Sequence, residues 1–174
     1  MCCLREWCPE LGLPAVDDAA LGAATDEWLP ALTAGKLRID EIDAGEFSAA
    51  LRARLDYAQA RAVDEQAPEE LAVPSGLRRK LSYTTGQAPV LAVKLQEMFG
   101  LAETPRIARG RVPILLHLLS PRQIPIQVTQ DLRGFWERTY PEVKKELKGR
   151  YPRHPWPDDP WTATATHRAK PRGS

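Results

Sequence analysis

Cysteine is almost absent from this sequence, and so are the ligand spacings of a metal site. The three cysteines, Cys2, Cys3 and Cys8, all lie within the first eight residues. An odd and clustered set of three does not make a disulfide framework. The histidines lie too far downstream to complete a zinc site with these thiols. We therefore predict free thiols in a reducing compartment, and no metal site.

Long apolar runs are also missing. No stretch approaches the roughly 20 apolar residues that a membrane-spanning helix needs. The first residues, MCCLREWCPE, lack the basic and then apolar order of a signal peptide. These absences predict a soluble, cytoplasmic protein that has no membrane partner.

Motifs for catalysis or phosphate binding are missing as well. The segment from Gly76 to Lys80 lacks the glycine spacing of an ATP-binding P-loop, and no G-x-S-x-G motif marks a nucleophile. We interpret the carboxylates of 40–43 and 158–159 as helix-cap and loop residues, and His117 as a packing residue within an apolar strand. The sequence therefore predicts no catalytic residue and no cofactor of its own. A small independent enzyme remains the least favoured hypothesis.

Charge is present in quantity but is unevenly distributed. Residues 1–74 contain 6 Lys or Arg and 15 Asp or Glu, whereas residues 75–174 contain 18 and 8, so their net charges are −9 and +10. This asymmetry predicts that the second half faces a polyanion, while the first half faces protein or solvent. The alternative is two solvated surfaces of opposite sign that attract each other.

Apolar periodicity predicts helices over residues 15–67. Asp17 can cap a helix that Pro30 ends, and a second helical pattern begins near Gly45 and extends to Pro68. From Leu71 the spacing changes to that of short strands joined by turns. We predict strands at 70–73, 78–84, 106–108, 112–119 and 124–129, with a helix inserted at 90–99.

Five short strands with an inserted helix predict an OB-like, partly open β-barrel, a scaffold that often binds single-stranded nucleic acid. After it, Asp131 can cap a helix, and Pro141 can begin another that Gly149 ends. The proline-rich remainder predicts an extended strap anchored by Tyr151 and Trp156, followed by a mobile end. The predicted chain is thus α+β, with an acidic helical segment at 1–68, an OB-like domain at 69–130 and a C-terminal extension at 131–174.

Basic residues cluster in this second half at spacings that suit phosphate contacts. One cluster, at a predicted strand start, is Arg78, Arg79 and Lys80; another, around a glycine turn, is Arg106, Arg109 and Arg111; a third extends from Lys144 to Arg153. Such cations can neutralise phosphates, and Tyr83, close to the first cluster, can stack on a base. The alternative is a charged strand face with the tyrosine in the core.

Four long strings of the sequence carry a family resemblance. APEELAVPSG, LQEMFGLAETPRIA, VTQDLRGFW and KGRYPRHPWPDDP resemble the C-terminal region of the HrpB family of bacterial DEAH-box RNA helicases, over about residues 28–172. One departure is the SPRQIP turn, where Gln123 stands in place of the family's usual glycine.

The resemblance implies a whole protein with two RecA-like motor domains that use ATP and Mg²⁺, followed by winged-helix, helical-bundle, OB-fold and family-specific parts. This chain would hold only the last of these. In related helicases the OB-fold lies at the entrance of the RNA channel and serves as a platform for regulators. The resemblance therefore makes the basic loops at 78–80 and 106–111 candidate RNA contacts.

The implied partners are single-stranded RNA, the helicase core of the same chain and a regulatory protein of unknown identity. The competing hypothesis is a structural module whose acidic helices and strap clamp the motor, with incidental basic charge.

Overall fold

The chain forms two compact units, Met1–Ala67 and Pro68–Ser174. The structure is a computed structural model, and it describes residues 1–36 and 38–168, without the side chain of Ile39. Among the described residues, no helix is both long and apolar enough to cross a membrane.

The first unit consists of short helices. They are α1 (Cys2–Trp7), α2 (Asp18–Ala23), α3 (Thr25–Thr33), α4 (Ala44–Arg52) and α5 (Tyr57–Gln66), with 3-10 turns at Pro9–Leu11 and Ile39–Glu41. Asp17 caps α2 as predicted, because its carboxylate accepts a hydrogen bond from the Ala20 amide. Asp43 and Asp56 each form a capping box at the start of α4 and α5.

The prediction that Pro30 ends a helix is wrong. Pro30 lies inside α3, which continues to Thr33. A proline removes only one backbone donor, and here the helix tolerates that loss. The second predicted helix is in fact two helices, α4 and α5, since Asp56 caps the start of a new one.

The second unit is built on a five-stranded sheet and a separate hairpin. The sheet contains β1 (Glu70–Ala72), β2 (Arg78–Ser82), β3 (Val90–Lys94), β6 (Leu115–Leu119) and β7 (Pro125–Thr129), and the hairpin contains β4 (Arg106–Ile107) and β5 (Val112–Pro113). The strand order in the sheet is β1-β2-β3-β6-β7. All neighbours in the sheet are antiparallel except β3 and β6. The predicted α+β class is confirmed, but the sheet is not a closed barrel.

The helix predicted at 90–99 is wrong, and this changes the sheet. Residues 90–94 form the central strand β3, in which Leu91 and Val93 are buried while Ala92 between them is exposed. Only Leu95–Glu97 turns, as a single 3-10 turn. A short apolar run fits both the helical and the strand periodicity, and here pairing with β2 and β6 stabilises the strand.

The turn between β6 and β7 requires a left-handed residue. Gln123 there has a φ of +64°. Its amide donates to the Ser120 carbonyl at 2.8 Å, and the Ile124 amide donates to the Ser120 hydroxyl at 3.1 Å. A glycine adopts this conformation without steric cost, whereas a glutamine is strained in it.

Three consecutive helical segments follow the sheet and supply aromatic side chains to the core of the second unit. Asp131 caps α6 (Leu132–Gly134) as predicted; a π-helical turn at Phe135–Thr139 then leads into α7 (Tyr140–Arg150). Pro141 lies in the first turn of α7, but Gly149 does not end it. Trp136 and Tyr140 pack edge to face at 5.3 Å.

The segment after α7 contains no helix or strand up to residue 168. Tyr151 and Trp156 are 9% and 8% exposed, and the Trp156 indole donates to the Tyr151 carbonyl at 2.9 Å. The Gly100 amide donates to the carbonyl of Pro160 at 2.9 Å. The role of Tyr151 and Trp156 as anchors of a strap stays a prediction. Residues 169–174 of the predicted mobile end lie outside the described residues.

Candidate functional site

Strand β2 places the first basic cluster on two different faces. Side chains alternate along a strand, so Arg78 and Lys80 share one face and Arg79 lies on the other. Arg78 and Lys80 are exposed, and Arg78 forms an ion pair with exposed Glu70 on β1 at 3.0 Å. This outer face of β2, which we call the β2 basic face, is therefore available to a ligand.

Arg79 points instead toward the interior. Its guanidinium donates two hydrogen bonds to the carboxylate of Glu97, at 2.7 and 2.5 Å. The Glu97 side chain is 0% exposed and that of Arg79 is 35% exposed. The hydrogen bonds and the charge of Glu97 raise the pKa of Arg79 despite its partial burial. Arg79 therefore differs from Arg78 and Lys80, because it is only partly exposed and pairs with a buried carboxylate.

Tyr83 is half-buried just beyond β2. Its hydroxyl donates to the carbonyl of Pro68 at 2.7 Å. This contact fixes one end of the ring beside the start of β1. Its role in stacking on a base stays a prediction.

The second basic cluster lies on the β4–β5 hairpin, at a left-handed turn. Ala108, Arg109 and Gly110 have consecutive φ values of +52°, +58° and +76°. Arg106 closes the turn, since its guanidinium donates to the carbonyls of Gly110 and Arg111 at 2.6 and 3.1 Å. Non-glycine residues in this conformation cost about 1–3 kcal/mol each and are often found at functional sites.

The turn holds its three arginines differently. Arg106, Arg109 and Arg111 are all exposed. The guanidinium of Arg106 is bonded within the turn itself, and its role as an RNA contact stays a prediction. The strained backbone presents Arg109 and Arg111 at the tip of the hairpin, on a sheet separate from the one that carries the β2 basic face.

A third candidate site is a groove along α7. It is open to solvent, has a volume of about 590 Å³ and is lined by Trp136, Glu137, Tyr140, Pro141, Lys144, Lys145, Lys148, Asp158, Pro160 and Trp161. The sequence did not predict that these side chains lie together. The signal in the sequence was the spacing of the lysines in PEVKKELKG. Only the fold brings these lysines close to residues 158–161.

Metal binding finds no support in the part of the chain that the structure describes. No group of three or more His, Cys, Asp or Glu side chains there is placed to hold an ion. Cys2, Cys3 and Cys8 are free thiols, and burial raises the pKa of Cys3.

The comparisons with known proteins point to one family. The family described as "ATP-dependent helicase C-terminal" (HrpB_C) matches residues 28–160. The chain is 45% identical over 168 residues to the ATP-dependent RNA helicase HrpB of Escherichia coli (strain K12), covering 97% of the chain and 21% of that relative.

Two solved structures are similar to this chain. A crystal structure of the E. coli DExH-box NTPase HrpB matches at 45% identity with a TM-score of 0.89, over 96% of this chain and 21% of that one. A crystal structure of the Escherichia coli DEAH/RHA helicase HrpB matches at 44% identity with a TM-score of 0.73, over 88% and 19%. The chain thus spans about one fifth of the length of the relatives it matches.

Proposed function

This chain belongs to the HrpB family of ATP-dependent helicase C-terminal domains, and from that membership we propose that it is a non-catalytic accessory region that binds single-stranded RNA in the cytoplasm. Its partner in the same protein is the helicase core. The role of the region is to hold RNA for that core by contacts to phosphates.

The observation that carries this proposal is the β2 basic face. Arg78 and Lys80 project from the same side of β2 and are exposed. Cations on a rigid strand can contact successive phosphates without ordering of the backbone, and such contacts dominate non-specific RNA affinity. Arg109 and Arg111 add exposed charge on the hairpin.

Two finer assignments belong to the same proposal. In the first, the open five-stranded sheet serves as the OB-like platform for RNA, and the short strands of the sheet support this assignment. The segment at 151–168 serves as a strap, which the burial of Tyr151 and Trp156 supports.

The experiment is a titration of the 174-residue chain with a fluorescently labelled 12-nucleotide oligouridine, at 50 and 200 mM salt. Binding should be weak, at about 10⁻⁴ to 10⁻⁶ M near physiological salt, and should show little sequence preference. Arg78→Ala/Lys80→Ala should weaken binding and lower the slope of log K against log salt by about 1.4, since each lost phosphate contact on a single strand removes about 0.7. Arg79 is left intact because its loss endangers the fold.

The matched control is Arg38→Ala/Arg61→Ala. These two arginines are exposed and form ion pairs, as Arg78 does, but they lie in the acidic first unit. The control removes the same charge and should bind RNA like the unaltered chain. Equal binding by both double variants, or no RNA binding by the unaltered chain at 50 mM salt, would contradict the proposal.

A structural role in clamping the motor is the second candidate. It is favoured by Ile124 and Val128, apolar side chains 51% and 50% exposed at or beside the edge strand β7. An edge with exposed apolar side chains suits a protein neighbour. If the chain binds no RNA at low salt, this candidate is preferred.

We further propose that ATP and Mg²⁺ act in the motor of the whole protein and not in this chain. No P-loop occurs in the sequence. A fluorescent ATP analogue with Mg²⁺ should show no binding to the pure chain. Turnover that a point substitution in this chain abolishes would contradict the proposal.

A further inference from the structure

The groove along α7, defined above, combines aromatic and cationic walls. Tyr140, Lys144 and Lys148 are spaced by four residues, so they lie on one face of α7. The opposite wall is the chain at 158–161, ending in Trp161. The two walls come from α7 and from the segment that follows it, and the ion pair between Lys144 and Asp158 joins them.

The floor of the groove is rigid. The indole N–H of Trp136 donates to the carbonyl of Leu101 at 2.8 Å, and the hydroxyl of Tyr140 donates to the carbonyl of Pro157 at 2.9 Å. Both rings are buried, and burial raises the pKa of Tyr140, so its hydroxyl remains a donor. A ligand would meet a preformed surface here.

The lysines of the rim have different roles. Lys144 is mostly covered and forms an ion pair with Asp158, which ties the two walls together. Lys145 and Lys148 are exposed, and within residues 1–36 and 38–168 neither forms an ion pair. The hydrogen bond and the charge of Lys144 lower the pKa of Asp158, and the charge of Lys148 adds a smaller contribution in the same direction. Two cations one helical turn apart therefore remain for an anionic ligand.

Trp161 is the aromatic side chain that a ligand can reach. It is half-buried, whereas Trp136 and Trp156 are buried. Its amide donates to the carboxylate of Asp159 at 2.9 Å, and the guanidinium of Arg133 lies 6.0 Å from the centre of its ring. The backbone is thereby held in place while the ring lines the groove.

From this arrangement we infer that the groove binds one or two nucleotides of single-stranded RNA, with a base stacked on Trp161 and the phosphates at Lys145 and Lys148. The inference rests on the proposed RNA-binding function and places a second contact outside the β2 basic face. A stacking ring beside paired cations is the combination that single-strand binding uses. The volume of about 590 Å³ is within the range of small-ligand sites.

The test uses the same oligouridine titration, with 4-thiouridine in the RNA so that ultraviolet light crosslinks stacked bases to the protein. Mass spectrometry should locate a crosslink at Trp161. Trp161→Leu should weaken binding by about 5- to 160-fold, whereas Trp161→Phe, which keeps a ring, should weaken it far less. Lys145→Ala/Lys148→Ala should lower the salt slope by about 1.4.

Three controls separate the outcomes. The thermal unfolding of each variant shows whether it folds, and the lysine variant tests the groove even if Trp161→Leu is unstable, because both lysines are exposed. Arg38→Ala/Arg61→Ala again serves as the charge-matched control. Polyglutamate serves as a competitor that carries charge without bases, and it should displace RNA poorly from the groove.

Three results would overturn the inference, and they can be told apart. If the unaltered chain binds RNA but Trp161→Leu and the lysine variant bind equally well without a crosslink at Trp161, the groove is not a site while the proposed function stands. If the unaltered chain binds no RNA at 50 mM salt, both fail. Displacement by polyglutamate as effective as by RNA would show an acidic polypeptide site instead.

Discussion

Replacing Arg79 with alanine should destabilise the second unit far more than replacing its neighbour Arg78. Both arginines pair with a glutamate, but the partner of Arg79, Glu97, is 0% exposed, whereas Glu70 beside Arg78 is about half exposed. Without Arg79, the Glu97 carboxylate loses two hydrogen bonds and stays buried without a counter-charge.

The expected magnitude follows from that difference. Breaking a fully buried ion pair costs about 3–5 kcal/mol. Because Arg79 is 35% exposed, water can reach part of the site, and we expect about 2–3 kcal/mol for Arg79→Ala. Arg78→Ala removes an exposed pair and should cost about 0–1 kcal/mol.

A double substitution tests the cause. Replacing both charges with apolar residues, as in Arg79→Leu/Glu97→Leu, removes the uncompensated charge and is often close to neutral. The double variant should therefore be more stable than Arg79→Ala, a clear departure from additivity.

Hydrogen exchange measured by mass spectrometry on peptides from β2 and β3 gives the opening free energy of the second unit alone, which matters because the chain has two units. Equal stabilities of Arg79→Ala and Arg78→Ala would refute the reasoning, as would additive losses in the double variant.

Three further predictions concern the turn and the C-terminal segment. Trp156→Ala should cost about 3–5 kcal/mol, since the indole is 8% exposed; an unchanged melting temperature would show that the ring does not anchor the segment. Gln123→Gly should stabilise the second unit by up to about 1 kcal/mol in urea unfolding, because it relieves a φ of +64°, while Gln127→Gly within β7 should destabilise it. Burial, with the charges of two nearby cations, lowers the pKa of His154; the unfolded chain then binds more protons below about pH 6.5, so stability should fall as the pH drops through that value. His154→Gln should flatten this part of the pH profile, and an identical profile would contradict the assignment.

Local features were predictable from the sequence by itself. The caps at Asp17 and Asp131 were recognisable because a capping carboxylate bonds an amide three residues away. The family was recognisable from unbroken strings such as KGRYPRHPWPDDP. The charge of each half follows from composition and needs no coordinates.

Long-range pairing was decided only by the tertiary structure. Residues 90–94 fit a helical pattern locally, yet β3 lies between β2 and β6 because those neighbours satisfy its backbone groups. Arg79 looked like its neighbours until a carboxylate 18 residues away proved to be buried against it. The lysines of α7 lie beside the aromatic ring of Trp161 only because the folded chain places residues 158–161 along the helix. Backbone pairing, burial and grooves depend on residues distant in sequence, and local sequence patterns do not reveal which distant residues meet.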